Sequence, residues 1–346
     1  MKLAFLVAQE SGLLKAIHKT ACERYILMKK TLILLLALLT CFVFGCANES
    51  KPVEKENTAN ATYSVVDDRG KVFQFAEPPT RMMTTSLAFQ DILLEMVPVE
   101  RFIATSVSAA DPNYSMTAEL SKKIPNKYRP RITVEQVLKY KPDIFITTPQ
   151  TSPEVSATLE DMGVRVFMLN AAETYPDIKK SIAKLSELVN QKEKGLALVQ
   201  RMEAGEKALA EKLAVIPKDK QKLVIQLTYS GTYGMLQNIF GMLCDLAYVQ
   251  NGMEIMPVRA SMPVSKEKIV ELNPDVLFLP SWDAKGSQNS DAYFQQIITD
   301  PAYKDLKCVK SKAVYKFPER YRYCTSHYIL EGAEYMAKLV YPEYLQ

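Results

Sequence analysis

Histidine, tryptophan, cysteine and glycine are all scarce: 346 residues contain two His, one Trp, six Cys and 12 Gly. Beyond the N-terminal stretch His327 is the sole histidine, so a Ser-His-Asp arrangement is available only through it, and H-E-x-x-H, G-x-S-x-G and G-x-x-x-x-G-K-[ST] are all absent. These absences argue against an enzyme. After Cys46 only Cys244, Cys308 and Cys324 remain, an odd number that allows at most one disulfide, so oxidation does not hold the fold together. Cys324 and His327 make half a metal site with no second pair, which argues against a bare zinc or manganese centre. Lys/Arg blocks are missing as well. Of 43 basic and 39 acidic residues, six and two precede Cys46, which leaves 37 of each sign and no electrostatic footprint for nucleic acid. What is present, 48% hydrophobic and 24% charged residues, is globular and long enough for two domains.

No apolar run is long enough to cross a membrane comfortably; the longest, Thr31 to Gly45, has 15 uncharged residues and follows Met28-Lys29-Lys30. A charged start, a short apolar stretch and a small residue before Cys46 read as an export signal over residues 28–45. Val43-Phe44-Gly45-Cys46 resembles a bacterial lipobox, which implies a lipidated Cys46; Cys41, after Leu39-Thr40, is the poorer competing site because Thr40 is larger than Gly or Ala. Residues 1–27 fit no signal or domain pattern and read as an over-called start, with Met28 the initiator. Residues 46–62 are polar and read as a flexible tether. The expected location is therefore the outer face of the cytoplasmic membrane, through a lipid anchor.

One internal repeat organises the rest. Residues 133–146 (TVEQVLKYKPDIFI) align without gaps on 265–278 (SKEKIVELNPDVLF) at a constant offset of 132. Each copy reads as a Thr or Ser N-cap, a two-turn helix, a Pro-Asp break and a buried parallel strand. The same grammar continues in helices at 155–162 and 293–298 and strands at 164–169 and 313–317. This alternation predicts an α/β fold of two similar lobes, residues 63–190 and 217–346, with mainly parallel sheets flanked by helices. Between them a helical span, 177–189 and then 192–215, supplies one long linking helix over 191–216, with an apolar stripe of Leu196, Val199, Met202, Leu209 and Leu213. The ligand cleft is expected between the lobes.

The lipobox, the segment from Tyr63 to Pro79 followed by Arg81, the two E-x-x-x-x-x-x-P-D copies and the long helix form an ordered series. It continues through Asp300-Pro301, the run from Val309 to Tyr315 and a last helix ending near Glu343. In this order they resemble the ABC-transporter substrate-binding proteins for iron complexes and cobalamin, over about residues 63–345. The sequence departs from that pattern at Met96-Val97-Pro98 and at Asn190, both turn positions. The resemblance implies a monomeric carrier that hands a small molecule to a permease dimer with its ATPase. It also implies that Glu135 and Glu267, second in their helices, meet arginines on the two permease subunits; the bland alternative is that they only complement the helix dipoles.

For the cleft, the loop from Pro318 to Tyr328 is dense in cations and phenols. Arg129, Arg259, Arg320 and Arg322 would suit carboxylate or catecholate oxygens, Tyr321 and Tyr323 would stack on a flat ligand, and His327, Phe89 and Tyr229 are weaker candidates. The expected ligand is a ferric siderophore, then cobalamin, then haem, with an axial ligand from His327 or a tyrosine left open. No resident cofactor is expected. A lipid-anchored hydrolase is the reading from a different class.

Overall fold

The computed structural model describes residues 63–129, 131–229, 239–255, 264–283 and 289–345. The signal segment, Cys46, the tether and Arg259 lie outside the described residues. The chain enters as an antiparallel hairpin of β1 (Tyr63–Val66) and β2 (Val72–Phe75), closed by a turn at Gly70, whose φ of 84° is costly for any residue with a Cβ. Asp67 in that turn is buried and accepts from Arg69 Nε at 2.8 Å.

A five-stranded parallel sheet follows, built from β3 (Met82–Thr84), β4 (Phe102–Ser106), β5 (Asn126–Tyr128), β6 (Ile144–Thr147) and β7 (Val166–Met168) in the order β5-β4-β3-β6-β7. Every residue of β4 and β6 is buried, as a sheet covered on both faces requires. Its connecting helices are α1 (Leu87–Leu94), α2 (Ala118–Lys122), α3 (Val134–Tyr140), α4 (Pro153–Asp161) and α5 (Tyr175–Leu188). The second lobe has a four-stranded parallel sheet, order β11-β10-β8-β9, of β8 (Leu223–Gln226), β9 (Gln250–Asn251), β10 (Val276–Pro280) and β11 (Val314–Phe317). Its helices are α7 (Ile239–Leu246), α8 (Gly252–Ile255), α9 (Lys266–Leu272), α10 (Ser290–Thr299), α11 (Lys307–Lys310), α12 (Glu319–Arg322) and α13 (Ile329–Val340).

The repeat is α3–β6 in one lobe and α9–β10 in the other. Each helix ends on a left-handed residue, Lys141 at φ 49° and Asn273 at φ 47°. The aspartate after each proline ties in the neighbouring strand: Asp143 Oδ2 accepts from the Thr80 and Arg81 amides at 2.7 and 2.9 Å, and Asp275 Oδ2 from the Leu223 amide at 2.9 Å. Pro-Asp is thus more than a helix stop, because it satisfies strand-edge donors that would otherwise be unpaired.

The linking helix is α6 (Lys192–Leu213), 22 residues and roughly 33 Å long. Its buried face is Gly195, Leu198, Met202, Leu209 and Leu213, which corrects the stripe expected from sequence: Leu196 is 60% exposed. The stripe shifts because α6 pairs with α5 at Gly195, where a Cβ would stand 2.3 Å from Ser186 Cβ; only glycine permits that approach. Asn190 turns the chain between the two helices at φ 54°, a conformation asparagine tolerates. Cys244, Cys308 and Cys324 are all free and buried.

Candidate functional site

In parallel α/β sheets the loops after the carboxyl ends of the strands form the binding crevice. Here the crevice is a cavity of about 780 Å³. Its first-lobe lining comes from the loops after β3 (Thr85, Ser86), β5 (Arg131), β6 (Thr148, Gln150, Thr151, Ser152) and β7 (Ala172, Glu173), and the second lobe adds Ile239, Tyr323 and Thr325. Two hydroxyl-rich runs, Thr84-Thr85-Ser86 and Thr147 to Ser152, each lead from a buried strand into a helix. Ser86 caps α1, accepting from the Phe89 amide at 3.3 Å, and Ser152 is the N-cap of α4. The N-termini of α1 and α4 thus open beside Arg131 and six serine and threonine hydroxyls, an arrangement that favours a ligand presenting negative oxygens. Thr85, Thr147 and Thr151 hydroxyls are linked at 3.0 and 2.5 Å, so this wall is held from behind.

Among the residues expected at the cleft, Tyr323 lines the cavity and is 54% exposed. Tyr229 lies at the end of β8, where its hydroxyl donates to the Trp282 carbonyl. Arg129 is exposed and outside the lining; the arginine of the lining is Arg131, two residues on. Arg320 is also outside it, with its Cζ over the Tyr321 ring at 5.2 Å.

Four expectations are overturned. Arg322 is 3% exposed and locked in the second lobe: it pairs with Glu319 Oε1 at 3.4 Å and donates to the Leu227 carbonyl at 3.0 Å. Tyr321 packs on Tyr335 and Phe317, at ring distances of 5.2 and 6.3 Å, as part of the core against α13. Phe89, 2% exposed, faces the core because α1 must bury its apolar side. His327, 7% exposed, packs against the Tyr328 ring at 4.0 Å, tilted by 39°, and stands 3.4 Å from Glu95, outside the cavity lining, so it is not placed as an axial ligand. Among the described residues the lining thus holds one arginine, Arg131, and one carboxylate, Glu173, among hydroxyls and helix ends, and Arg259 lies outside the described residues.

Residues the sequence reading missed are Arg131, the cavity hydroxyls, Tyr114 and Trp282. The hydroxyl runs did carry a signal, since each sits directly after a buried strand and before a cap. Tyr114, between β4 and α2, and Trp282, just after β10, lie in loops without periodicity, and they meet across the lobes at a ring distance of 6.3 Å.

Behind the cavity the lobes share a buried polar junction. Asp91, on α1 and 5% exposed, accepts from the Thr117 hydroxyl at 2.6 Å and from the Ser326 hydroxyl of the other lobe at 3.4 Å. One turn on, Glu95 meets Arg201 of α6 at 2.6 Å, the Tyr328 hydroxyl at 3.2 Å and His327. Burial pushes the Asp91 carboxyl up to about 6, opposed by Thr117 and by His327, whereas His327 and Arg201 draw Glu95 down to about 2. The signs are opposite. Asp91 titrates above its ordinary 3.8, so its ionised form opposes folding, and stability should fall as pH rises from about 4 through 6, by about 3 kcal/mol. The contribution of Glu95 is present above its ordinary value of 4.5 and is lost as pH falls toward about 2. Chemical denaturation at pH 5 and 7.5 should show Asp91→Asn gaining over the parent at 7.5, with roughly half that gain at pH 5; equal pH responses in both proteins would refute this assignment.

The comparisons agree with this architecture. The sequence profile of the family described as periplasmic binding protein matches residues 84–321. The iron-uptake system-binding protein of Bacillus subtilis is 23% identical over 296 residues, covering 83% of this chain and 90% of the relative. Two solved structures superpose with a TM-score of 0.65. Molybdate-bound MolA of Haemophilus influenzae is 19% identical and covers 81% of this chain and 92% of its own. The haem-binding protein RhuT of Roseiflexus sp. RS-1 is 17% identical and covers 77% and 99%. No helix among the described residues is long and apolar enough to cross a membrane. The two parallel-sheet lobes, the long helix between them and the cleft at their strand ends belong together with that match: the chain is a member of the periplasmic binding protein family, the extracytoplasmic substrate-binding components of ABC importers, which are carriers and not enzymes.

Proposed function

We propose that this protein captures an anionic iron chelate, a ferric siderophore, in the interlobe cavity and delivers it to an ABC permease. The observation that carries this reading is the cavity itself. At about 780 Å³ it is of the size that receives an organic ligand and far larger than a bare tetrahedral oxyanion needs. Arg131, the hydroxyls and two helix N-termini suit the negative oxygens of such a chelate. The iron-uptake relative supports iron as the cargo. Cobalamin, chiefly neutral, makes less use of the cation and the helix ends. Glu135 and Glu267, exposed on matching helices of the two lobes, are the docking groups for the permease, and Cys46 carries the lipid anchor.

Titration calorimetry of the full-length protein with ferric catecholate, ferric citrate, ferric hydroxamate, cobalamin and haem tests the reading. At least one ferric chelate should bind tightly, and Arg131→Ala should weaken it about 10-fold to 100-fold, as loss of one charge-assisted hydrogen bond does. Cobalamin or haem bound tightly with every ferric chelate ignored would overturn it. Fractionating cells that express Cys46→Ala checks the anchor: release from membranes, or an uncleaved precursor, is expected, and an unchanged membrane fraction would remove Cys46 from that role.

A further inference from the structure

One aromatic ring, Tyr323, lines the cavity, and beyond that lining an aromatic group spans the two lobes. Trp282 leaves the end of β10, and its ring meets Tyr114 of the other lobe at 6.3 Å and 56°. Tyr229, from the end of β8, stands edge-on to Trp282 at 5.6 Å and 82°, and packs on Tyr293 at 5.1 Å. The second-lobe half of this group is rigid. The Tyr229 hydroxyl donates to the Trp282 carbonyl, and the Tyr293 hydroxyl donates to the Thr228 carbonyl at 2.8 Å. The Ser281 amide, adjacent to Trp282, donates to Glu319 Oε1 at 3.1 Å, and Arg322 holds the Leu227 carbonyl. Tyr323, next to Arg322, carries the aromatic surface into the cavity lining.

The first-lobe half is one ring, Tyr114. Burial and the nearby Glu319 carboxylate push its phenol up to about 12, and Tyr229 and Tyr323 are close enough to contribute to the same shift. Among the described residues neither the Tyr114 nor the Tyr323 hydroxyl has a hydrogen-bond partner. As neutral phenols, Tyr114 and Tyr323 offer a ring face and edge, and an O–H for an oxygen that the metal has made electron-rich.

We propose that Tyr114 and Trp282 form an aryl clamp, one ring from each lobe, which makes the cleft selective for iron chelates that carry aromatic rings, of the catecholate or phenolate type, over citrate and hydroxamate chelates. This rests on the reading of the cavity as the chelate site. An aromatic ring of the ligand replaces the Tyr114–Trp282 contact with two contacts of the offset or edge-on kind, one to each lobe, and so draws the lobes onto it. A chelate without rings parts the clamp and gains nothing in return.

Trp282 is the only tryptophan of the chain, so indole emission, excited selectively over the 18 tyrosines, reports on the clamp. Full-length protein is titrated with catechol, citrate and acetohydroxamate complexes of Fe(III) by calorimetry, and with their Ga(III) counterparts by fluorescence, because gallium does not itself quench the indole. The catechol complex should shift Trp282 emission and bind most tightly. Tyr114→Ala and Trp282→Leu should each weaken it about 10-fold, Tyr114→Phe should retain most of the affinity, and the citrate and acetohydroxamate complexes should change less than about 2-fold. Circular dichroism confirms that the variants are folded, and Tyr114→Ala carries the test should Trp282→Leu fail to fold, with Tyr114→Phe as its conservative control. Equal losses for all three complexes, or unchanged catechol affinity in Tyr114→Ala, would overturn the clamp while leaving the chelate reading intact. Wild type binding none of the three would overturn that reading and the clamp with it.

Discussion

Arg322→Met, with Glu319 left in place, should destabilise the protein by about 3 to 5 kcal/mol, the largest effect of any single substitution considered for the second lobe. The guanidinium is 3% exposed and Glu319 0% exposed, so removing the cation strands a buried carboxylate. Burial already pushes the Glu319 carboxyl above its ordinary value, and Arg322 is the main group opposing that shift. The arginine also satisfies acceptors that nothing else among the described residues reaches: the Leu227 carbonyl at 3.0 Å and, with the Gln226 amide oxygen assigned toward it, that oxygen at 2.8 Å from both Nε and Nη2. Since a buried pair is worth little against an apolar replacement of both partners, Arg322→Met with Glu319→Leu should recover much of the loss. Urea denaturation of the two variants measures this directly. A single variant within about 1 kcal/mol of wild type, or a double variant less stable than the single, would show that the pair is not what holds the ends of β8 and β10 together.

Uptake should collapse in Glu135→Ala and Glu267→Ala although ligand affinity does not change. Both carboxylates are exposed, on the second residue of seven-residue helices whose Thr133 and Ser265 caps accept from the third helical amide at 3.4 Å. Gln136 completes a capping box with the Thr133 amide at 3.0 Å, so the first helix end is satisfied without Glu135. The Thr133 and Ser265 hydroxyls hold the two carboxyls below the usual glutamate range, which keeps both ionised at neutral pH. Each substitution should lower transport in whole cells at least about 10-fold, the loss expected for one charge-assisted contact at a docking interface, and the double variant should approach background. Calorimetry on the same proteins supplies the control. Ligand affinity falling in step with uptake would return both glutamates to a helix-dipole role, and rescue of Glu135→Arg or Glu267→Arg by a permease with the opposing charge reversed would fix the contact.

The fold was legible where local chemistry repeats. The T/S-x-E helix followed by Pro-Asp and a β-branched run names its own cap, stop and buried strand, and these recur as α3–β6 and α9–β10. Gly163, at φ 81°, ended its helix as its type suggests, although α4 begins two residues earlier than the periodicity placed it, at Pro153. The site was less legible because charge in a sequence has sign but no direction. Pro318 opens a single helical turn, and that turn swings Arg322 inward onto Glu319 and Tyr321 onto the core; the i, i+3 spacing of Glu319 and Arg322 was the visible warning. Phe89 was misplaced for a related reason, since a helix that starts at the cleft still turns its apolar side away from it. Leu196 failed because a stripe can be drawn more than one way through a long helix, and the close approach at Gly195 chose the other way. Tyr114 and Trp282 had no local signal at all, being brought together by the packing of the two lobes.

The three buried thiols bear on how such a protein survives outside the cytoplasm, where oxidants join exposed cysteines. Burial raises Cys308 to about 11 and Cys324 to about 12, and lifts Cys244 well above the ordinary thiol, so little reactive thiolate forms in the folded state. That protection is a property of the finished fold alone. An exported chain still unfolded presents all three sulfurs at once, with no native pairing to select, and each one then becomes a point for covalent capture by another chain. Secretion therefore turns into a race between collapse around Cys244, Cys308 and Cys324 and the first oxidising encounter, and the damaged product is a cross-linked aggregate that a stable native state does nothing to rescue.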